Sequence, residues 1–301
     1  MIKHLRHHEI DKASWDARLI RCANRLWYAQ SWVLDIACPG WEALIDDAAD
    51  AMMPLTCRRK WSFSYLFQPL GIQQLGVFAS MPANELADRF IEAIPGRFRY
   101  IDIALNEAMR PSEAVAGKHS ASVNQVIELD RPINELRAAY STGHRRNLKD
   151  AAAGLHAIGL EPGDFETLFR HTTGARYGDA AVKGLKELTA VIAEGIRRDQ
   201  CRIEALAEDG EVIAAACFAS WEGRSILLKS ANTESGHRAK AMFHLTDAWI
   251  ARSAGTGMLL DFAGSNTPSV ARFNAGFGAV TRPYFRLRRN RLPLLARWLK
   301  N

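Results

Sequence analysis

The 301-residue sequence contains no long hydrophobic run. Its longest uninterrupted apolar stretch, Val212 to Ala219, falls far short of the roughly 20 residues that cross a bilayer. The opening residues, MIKHLRHHEIDK, carry charge where the apolar centre of a secretory leader would begin. No leader and no transmembrane segment is therefore expected, and the expected compartment is the cytoplasm. Cysteine is sparse and odd in number: Cys22, Cys38, Cys57, Cys201 and Cys217, with no C-x-x-C pair. That excludes a disulfide scaffold and leaves reduced, mostly buried thiols as the expectation. Low-complexity stretches, short repeats, a P-loop, a dinucleotide fingerprint and an HExxH pair are all missing, which removes solenoids and several nucleotide and zinc enzymes. His4, His7, His8 and Glu9 stand close together, but neighbouring side chains on a strand point to opposite faces, so no metal site is expected.

What is present is ordinary globular composition, 48% hydrophobic and 24% charged, which excludes a disordered or coiled-coil chain. The length leads to an expectation of two domains. The net charge of +6 is local. Arg282, Arg286, Arg288, Arg289, Arg291, Arg297 and Lys300 crowd residues 281–301, where no acidic residue stands. Such a tail suits the phosphates of RNA or of a nucleotide cofactor. The alternative is an amphipathic end, with Leu292, Leu294, Leu295 and Trp298 packed and the arginines in water.

Helical and strand patterns alternate along the chain, which predicts a mixed α/β fold. A strand is predicted at Ile2–Glu9, then a helix from Asp11 as N-cap to about Cys22. Further strands are expected at Trp41–Ile45, Ala51–Arg59, Ser64–Phe67, Leu75–Ala79 and Phe98–Leu105, with a helix over Pro82–Ile94. Residues 106–119 read as a link. In the second half a strand at Asn124–Leu129 precedes helices near Ile133–Leu155, Phe165–Thr172 and Val182–Arg198. Cys201–Ala207 and Val212–Ser220 flank Glu208-Asp209-Gly210, the signature of a tight hairpin. A third strand, Arg224–Ala231, then a helix to about Ser253, a strand at Met258–Phe262, a helix at Pro268–Asn274 and a strand at Ala279–Leu287 complete the order. The expected division is a domain over residues 1–118, a second over 119–289 and a basic amphipathic tail over 290–301.

That order, with its motifs, resembles the GNAT acyltransferase superfamily, in particular its two-domain, Fem-like bacterial members. Asn266, Ala271, Phe273, Gly276 and Phe277 hold the places of the Asn, the Ala and aromatic pair on a helix, and the Gly-Phe entering the last strand of GNAT proteins. The segment Leu259 to Ser265 is similar to the strand and glycine turn of Fem-type proteins. Arg145-Arg146-Asn147-Leu148-Lys149 before Ala151 looks like their basic helix start, and Tyr28 to Trp32 and Tyr65 to Val77 are similar to the same group. The resemblance implies tandem GNAT (acyl-CoA N-acyltransferase) domains, a mixed α and β sheet in each, the C-terminal one more complete. It also implies acyl transfer from acyl-CoA to an amine.

Two departures accompany it. GNAT enzymes bind the coenzyme A pyrophosphate at a glycine-rich helix start, where free N–H groups and the helix dipole attract anions. Here that place reads Thr233-Glu234-Ser235-Gly236-His237-Arg238-Ala239-Lys240, with one glycine and an unhelpful Glu234. Ser230, Asn232, Ser235, Gly236, His237, Arg238, Ala239 and Lys240 are the expected cofactor-binding residues, for acetyl-CoA or another acyl-CoA. Phe273 stands near the tyrosine that protonates the leaving thiolate in many GNAT enzymes, and a phenyl ring donates no proton. Tyr284 on the last strand is the substitute.

Other candidates come from the residues themselves. Glu204 and Asp261 place carboxylates in strand patterns, where charge is costly unless paired or functional. Asp261, before a glycine turn, suits a contact or base for the substrate amine; the alternative is a cap on the backbone of the 264–268 turn. Gln68, Gln73 and Gln74 flank Pro69 and Gly71 and suit a polar pocket between domains, or a turn satisfied by its own side chains. His144, Arg145, Arg146 and Lys149 are cations at a helix start, which opposes the dipole and favours an anionic ligand. Trp27, Tyr28 and Trp32 suit either stacking on a substrate or a core. The expected substrate-binding set is Tyr28, Trp32, Gln68, Gln73, Gln74, Arg145, Arg146, Asn147, Lys149 and Ser265, with an amine-bearing small molecule or peptide as acceptor and no DNA.

Three functions compete. The first is acyl transfer from acyl-CoA to an amine. The second, implied by the Fem-like resemblance, is an aminoacyl-tRNA-dependent transferase acting on a peptidoglycan precursor. The third is a GNAT-fold binding module without catalysis.

Overall fold

The computed structural model spans Met1–Asn301 and describes all residues except 61, 117–119, 150–153, 176, 177, 179–181, 265 and 294–301. The chain forms two compact units, Met1–Ser122 together with Pro283–Asn301, and Val123–Arg282. The expected boundary at 118/119 falls on residues outside the described set.

The first unit opens with β1 (Lys3–Leu5), shorter than the expected strand because the Glu9 carboxylate accepts the Arg6 N–H and folds His7–Glu9 into a 3-10 turn. α1 (Lys12–Arg21) starts where expected, with the Asp11 carboxylate accepting from the N–H groups of Ala13 and Ser14. α2 (Ser31–Ala37), β2 (Glu42–Asp46) and β3 (Ala51–Leu55) follow. The single strand expected over Ala51–Arg59 breaks at Thr56: β3 joins a sheet of order β1-β2-β3-β6, and β4 (Cys57–Lys60) joins another. Thr56 fixes the change of sheet by exchanging hydrogen bonds with the Phe67 backbone. β5 (Phe63–Phe67), β6 (Phe78–Ala79), α3 (Asn84–Glu92), β7 (Phe98–Ala104) and α4 (Glu113–Ala116) complete the segment. In this unit the strands run β4-β5-β7-β14, with β14 (Val280–Asn290) antiparallel to β7. Met53, Leu66, Phe90, Ile101 and Leu287 lie in one buried apolar cluster.

The second unit begins within β8 (Ser120–Leu129), at Val123. The long helix expected from Ile133 is two, α5 (Ile133–Ala138) and α6 (Thr142–Lys149), because Ser141 Oγ accepts the His144 N–H and starts a new helix. β9 (His156–Ile158) and α7 (Pro162–Phe169) follow. α7 runs into a π-helical turn, Arg170–Gly174. α8 (Leu185–Arg197) precedes three antiparallel strands, β10 (Cys201–Glu208), β11 (Glu211–Trp221) and β12 (Arg224–Asn232). α9 (Glu234–Arg238), α10 (Ala241–Ser253), β13 (Met258–Asp261) and α11 (Pro268–Gly276) complete it. The strands run β8-β13-β12-β11-β10-β9. Leu245 and Trp249 of α10 cover one face, over Ala214, Ala216, Phe218 and Leu227. α7 and the π-helical turn also pack on β12.

No helix among the described residues is long and apolar enough to cross a membrane.

Candidate active site

In the second unit β13 runs parallel to β12 only briefly, with Arg224, Ser225 and Ile226 opposite Leu259, Leu260 and Asp261. β12 continues to Asn232, and its residues 227–232 have no register with β13. On its other edge Leu227 pairs with Phe218 and Lys229 with Cys217, so Leu228 is an extra residue that kinks the strand. Among the described residues no strand pairs with residues 227–232 on the edge of β12 that faces β13, and a strand edge without a neighbour offers backbone N–H and C=O groups to whatever enters the gap. Oriented N–H groups of that kind polarise a carbonyl without any dedicated side chain.

The surroundings of the gap come from several elements. Thr173, on the π-helical turn, donates through Oγ1 to the Ser230 carbonyl at 3.2 Å. Directly after β12, Thr233 caps α9: its Oγ1 accepts the Gly236 N–H at 3.0 Å, while its own N–H and hydroxyl donate to the Ile213 carbonyl. Gly236 is held tightly. A Cβ there would lie 3.1 Å from the Ile213 carbonyl carbon and closer still to its oxygen and to the Asn232 amide oxygen. Helix–strand packing thus demands this glycine, and its N–H is already taken by Thr233. The left-handed residue of the segment is Lys240, φ 57°, which stands immediately before α10 in a conformation that favours glycine. Lys240, His237 and Arg238 are exposed; Arg238 donates to Ser235 Oγ at 3.0 Å and the Asn232 amide to His237 Nδ1 at 3.0 Å. Ala239 is half-buried, its N–H bonded to the Ser235 carbonyl.

Asp261 stands at the vertex of the gap, fully buried. Its Oδ2 accepts from Arg224 at 2.9 and 2.5 Å and its Oδ1 from the Ala263 N–H at 2.8 Å. Both oxygens are engaged, and the turn they hold contains Ala263 at φ 41°. This is the capping alternative, with the cap on Ala263 in place of residues 264–268. Tyr284 lies on β14 in the first unit, 6% exposed, so the two proton-transfer candidates fall in different units. Glu204 pairs with Arg202 and Arg252.

The remaining candidates divide similarly. Tyr28 is fully buried in the first unit, and Trp27 stacks edge-on with both Tyr28 and Trp32, an arrangement of a core. Gln68 bridges the Ala104 N–H and the Ile72 carbonyl, and buried Gln74 accepts the Glu107 N–H and donates to Gln73, so this turn is satisfied by its own side chains. In the second unit Arg145 binds the carbonyls of Ala138 and Tyr140 and closes α5. Arg146 and Lys149 are exposed and Asn147 is half-buried. His144 turns inward among Phe243, Phe273 and Phe277, a structural residue that the basic run around it disguised. Ser265 lies outside the described residues. His4 pairs with Glu42 and His7 with Asp35 and the Trp41 carbonyl, so the N-terminal histidines serve separate contacts.

No protein family matches the sequence, and no curated protein matches it. Solved structures do. "Crystal structure of FemX" superposes with a TM-score of 0.67 at 11% identity, covering 98% of this chain and 100% of that one. A conserved protein of unknown function from Bacteroides thetaiotaomicron gives 0.59 at 8% identity over 96% and 100%. A tandem GNAT protein from the clavulanic acid biosynthesis pathway gives 0.54 at 11% identity over 96% and 98%. At such identities the likeness concerns the fold. The chain has the GNAT fold in its tandem, Fem-like form.

Proposed function

We propose that the second unit is an N-acyltransferase site that moves an acyl group, most simply acetyl, from acyl-CoA directly to an amine. The observation that carries this reading is the divergence of β13 from β12 beside the kink at Leu228. Acyl-CoA supplies the acyl group as a reactive thioester. The free edge of β12 provides N–H groups to take up charge on the acyl oxygen as the neutral amine attacks. Exposed Arg238, the last residue of α9, and exposed Lys240, immediately before α10, provide cations for the donor's phosphates. Asp261 is already committed to Arg224 and Ala263, and Tyr284 belongs to the first unit, so this reading rests on the backbone of β12 and assigns no side chain as the acid.

A second reading, transfer from an aminoacyl-tRNA, draws support from α9. Thr233 has used the Gly236 N–H, and exposed Glu234 adds negative charge in the first turn, which disfavours a pyrophosphate there.

The test is thermal stabilisation by acetyl-CoA, desulfo-CoA and uncharged tRNA. A ligand at about 100 times its Kd adds about 2.7 kcal/mol. Saturable stabilisation by acetyl-CoA, weakened in Lys240→Glu, supports the first reading. Stabilisation by tRNA alone supports the second. None from either leaves a binding module. Gly236 variants are unsuitable, because any Cβ collides with Ile213 whatever the ligand.

A further inference from the structure

Lys229 follows the kink in β12 directly, on the stretch that β13 leaves unpaired. It pairs across the strands with Cys217, which pairs with Ile203, so these three side chains share a face. That face is opposite the one where Phe218 stacks on Trp249 of α10. Lys229 is half-buried, and burial pulls the pKa of its amine below the ordinary lysine value.

Among the described residues Lys229 has no hydrogen-bond or ion-pair partner, and burial is the cause of its shift. Among the described residues, charges on β12 and on the elements packed against it are paired with one another: Arg224 holds Asp261, and Glu166 of α7 pairs with Arg170 of the π-helical turn at 2.7 Å. His171, Glu161 and Asp164 are exposed, and the fully buried Cys217 thiol is pushed upward by its contact with Cys201 and remains neutral. An enclosed ammonium without a counter-charge is destabilising, so a lysine is an expensive choice here unless something bound completes it. The π-helical turn beside it, a rare local form found mostly at functional sites, touches the same strand through Thr173 and Ser230.

We propose that Lys229 is the receptor for a carboxylate on the acceptor, so that the acceptor class is an amine that also bears a carboxylate, such as an amino acid or a peptide terminus. This rests on the acyl-transfer reading for the word acceptor, but not for the binding of the carboxylate itself. The ligand's anion pairs with the ammonium and draws a proton onto the amine, while its amino group lies toward the free edge of β12.

The test observes the lysine directly. With lysine side chains isotopically labelled, the resonance missing from Lys229→Met identifies Lys229, and its titration midpoint is followed alone and with N-acetylglycine, N-ethylacetamide, acetate or inorganic phosphate. The expected result is a midpoint below those of the other lysines, raised saturably by N-acetylglycine and not by N-ethylacetamide, with binding of N-acetylglycine weakened at least about tenfold in Lys229→Met. Lys229→Met should also melt higher than the parent when no ligand is present, which separates loss of a site from loss of fold. An ordinary midpoint, no response to either carboxylate, or a response to phosphate alone overturns the proposal. Acetyl-CoA binding is measured separately, so failure here and failure of the acyl-transfer reading are distinguishable.

Discussion

The ring of His144 fills the space beside Gly276 so closely that a Cβ on that glycine would collide with it. The Ser141 N–H donates to the Gly276 carbonyl at 2.8 Å, and His144 Nε2 donates to the Phe273 carbonyl at 2.9 Å. α6 and α11 are thereby locked together at one buried imidazole. Gly276→Ala should lower stability by about 2 to 3 kcal/mol, as overpacking does. In a denaturation double-mutant cycle, much of that loss should disappear on a His144→Ala background.

The same histidine gives a pH dependence. Burial holds its pKa below the ordinary 6.5, and burial does the same to His244 on α10. Below that value the unfolded chain binds protons that the folded chain refuses, so stability is complete above about pH 6.5 and declines as pH falls through the window between unfolded and folded values. Urea denaturation at several pH values should show this decline, and His144→Gln should make it shallower. A slope unchanged in that variant would mean other groups set it.

Asp261→Asn keeps the acceptor for the Ala263 N–H but strips the counter-charge from Arg224, whose side chain is only 15% exposed. Removing one partner of a buried pair costs about 3 kcal/mol or more. The variant should therefore unfold at markedly lower denaturant concentration. If it kept full stability while losing transfer activity, Asp261 would be acting on the substrate.

The thiols should be inert in the native protein. Burial raises Cys38 to about 11 and Cys22 and Cys57 to about 12, and Cys217 is also raised. At about pH 8 a thiol with a pKa near 12 is ionised in only about one molecule in 10⁴. Iodoacetamide should label the folded chain slowly and all five cysteines after unfolding. Rapid labelling of one thiol in the folded state would contradict this.

Local chemistry explains which parts could be read in advance. Asp209 and Gly210, both at positive φ, turn β10 into β11 with Ala207 opposite Val212, as their residue types dictate. Asp11 caps α1 for an equally local reason. What escaped the sequence depended on distant partners. That packing requires a glycine at 236 was not legible, because the carbonyl it meets belongs to Ile213 on another strand. His144 sat in a basic run, and the rings that make it structural come from α10, α11 and the residue after it. Lys229 was one polar residue in a strand pattern; the kink that places it beside a free edge exists only in the pairing of β11 with β12.

The most direct test of the account is amide hydrogen exchange of the intact chain with and without acetyl-CoA. Exchange should slow in residues 227–232 of β12 and in the start of α10, where the free strand edge and Lys240 lie. Saturable binding that leaves those amides unchanged and protects a segment of the first unit would contradict the account.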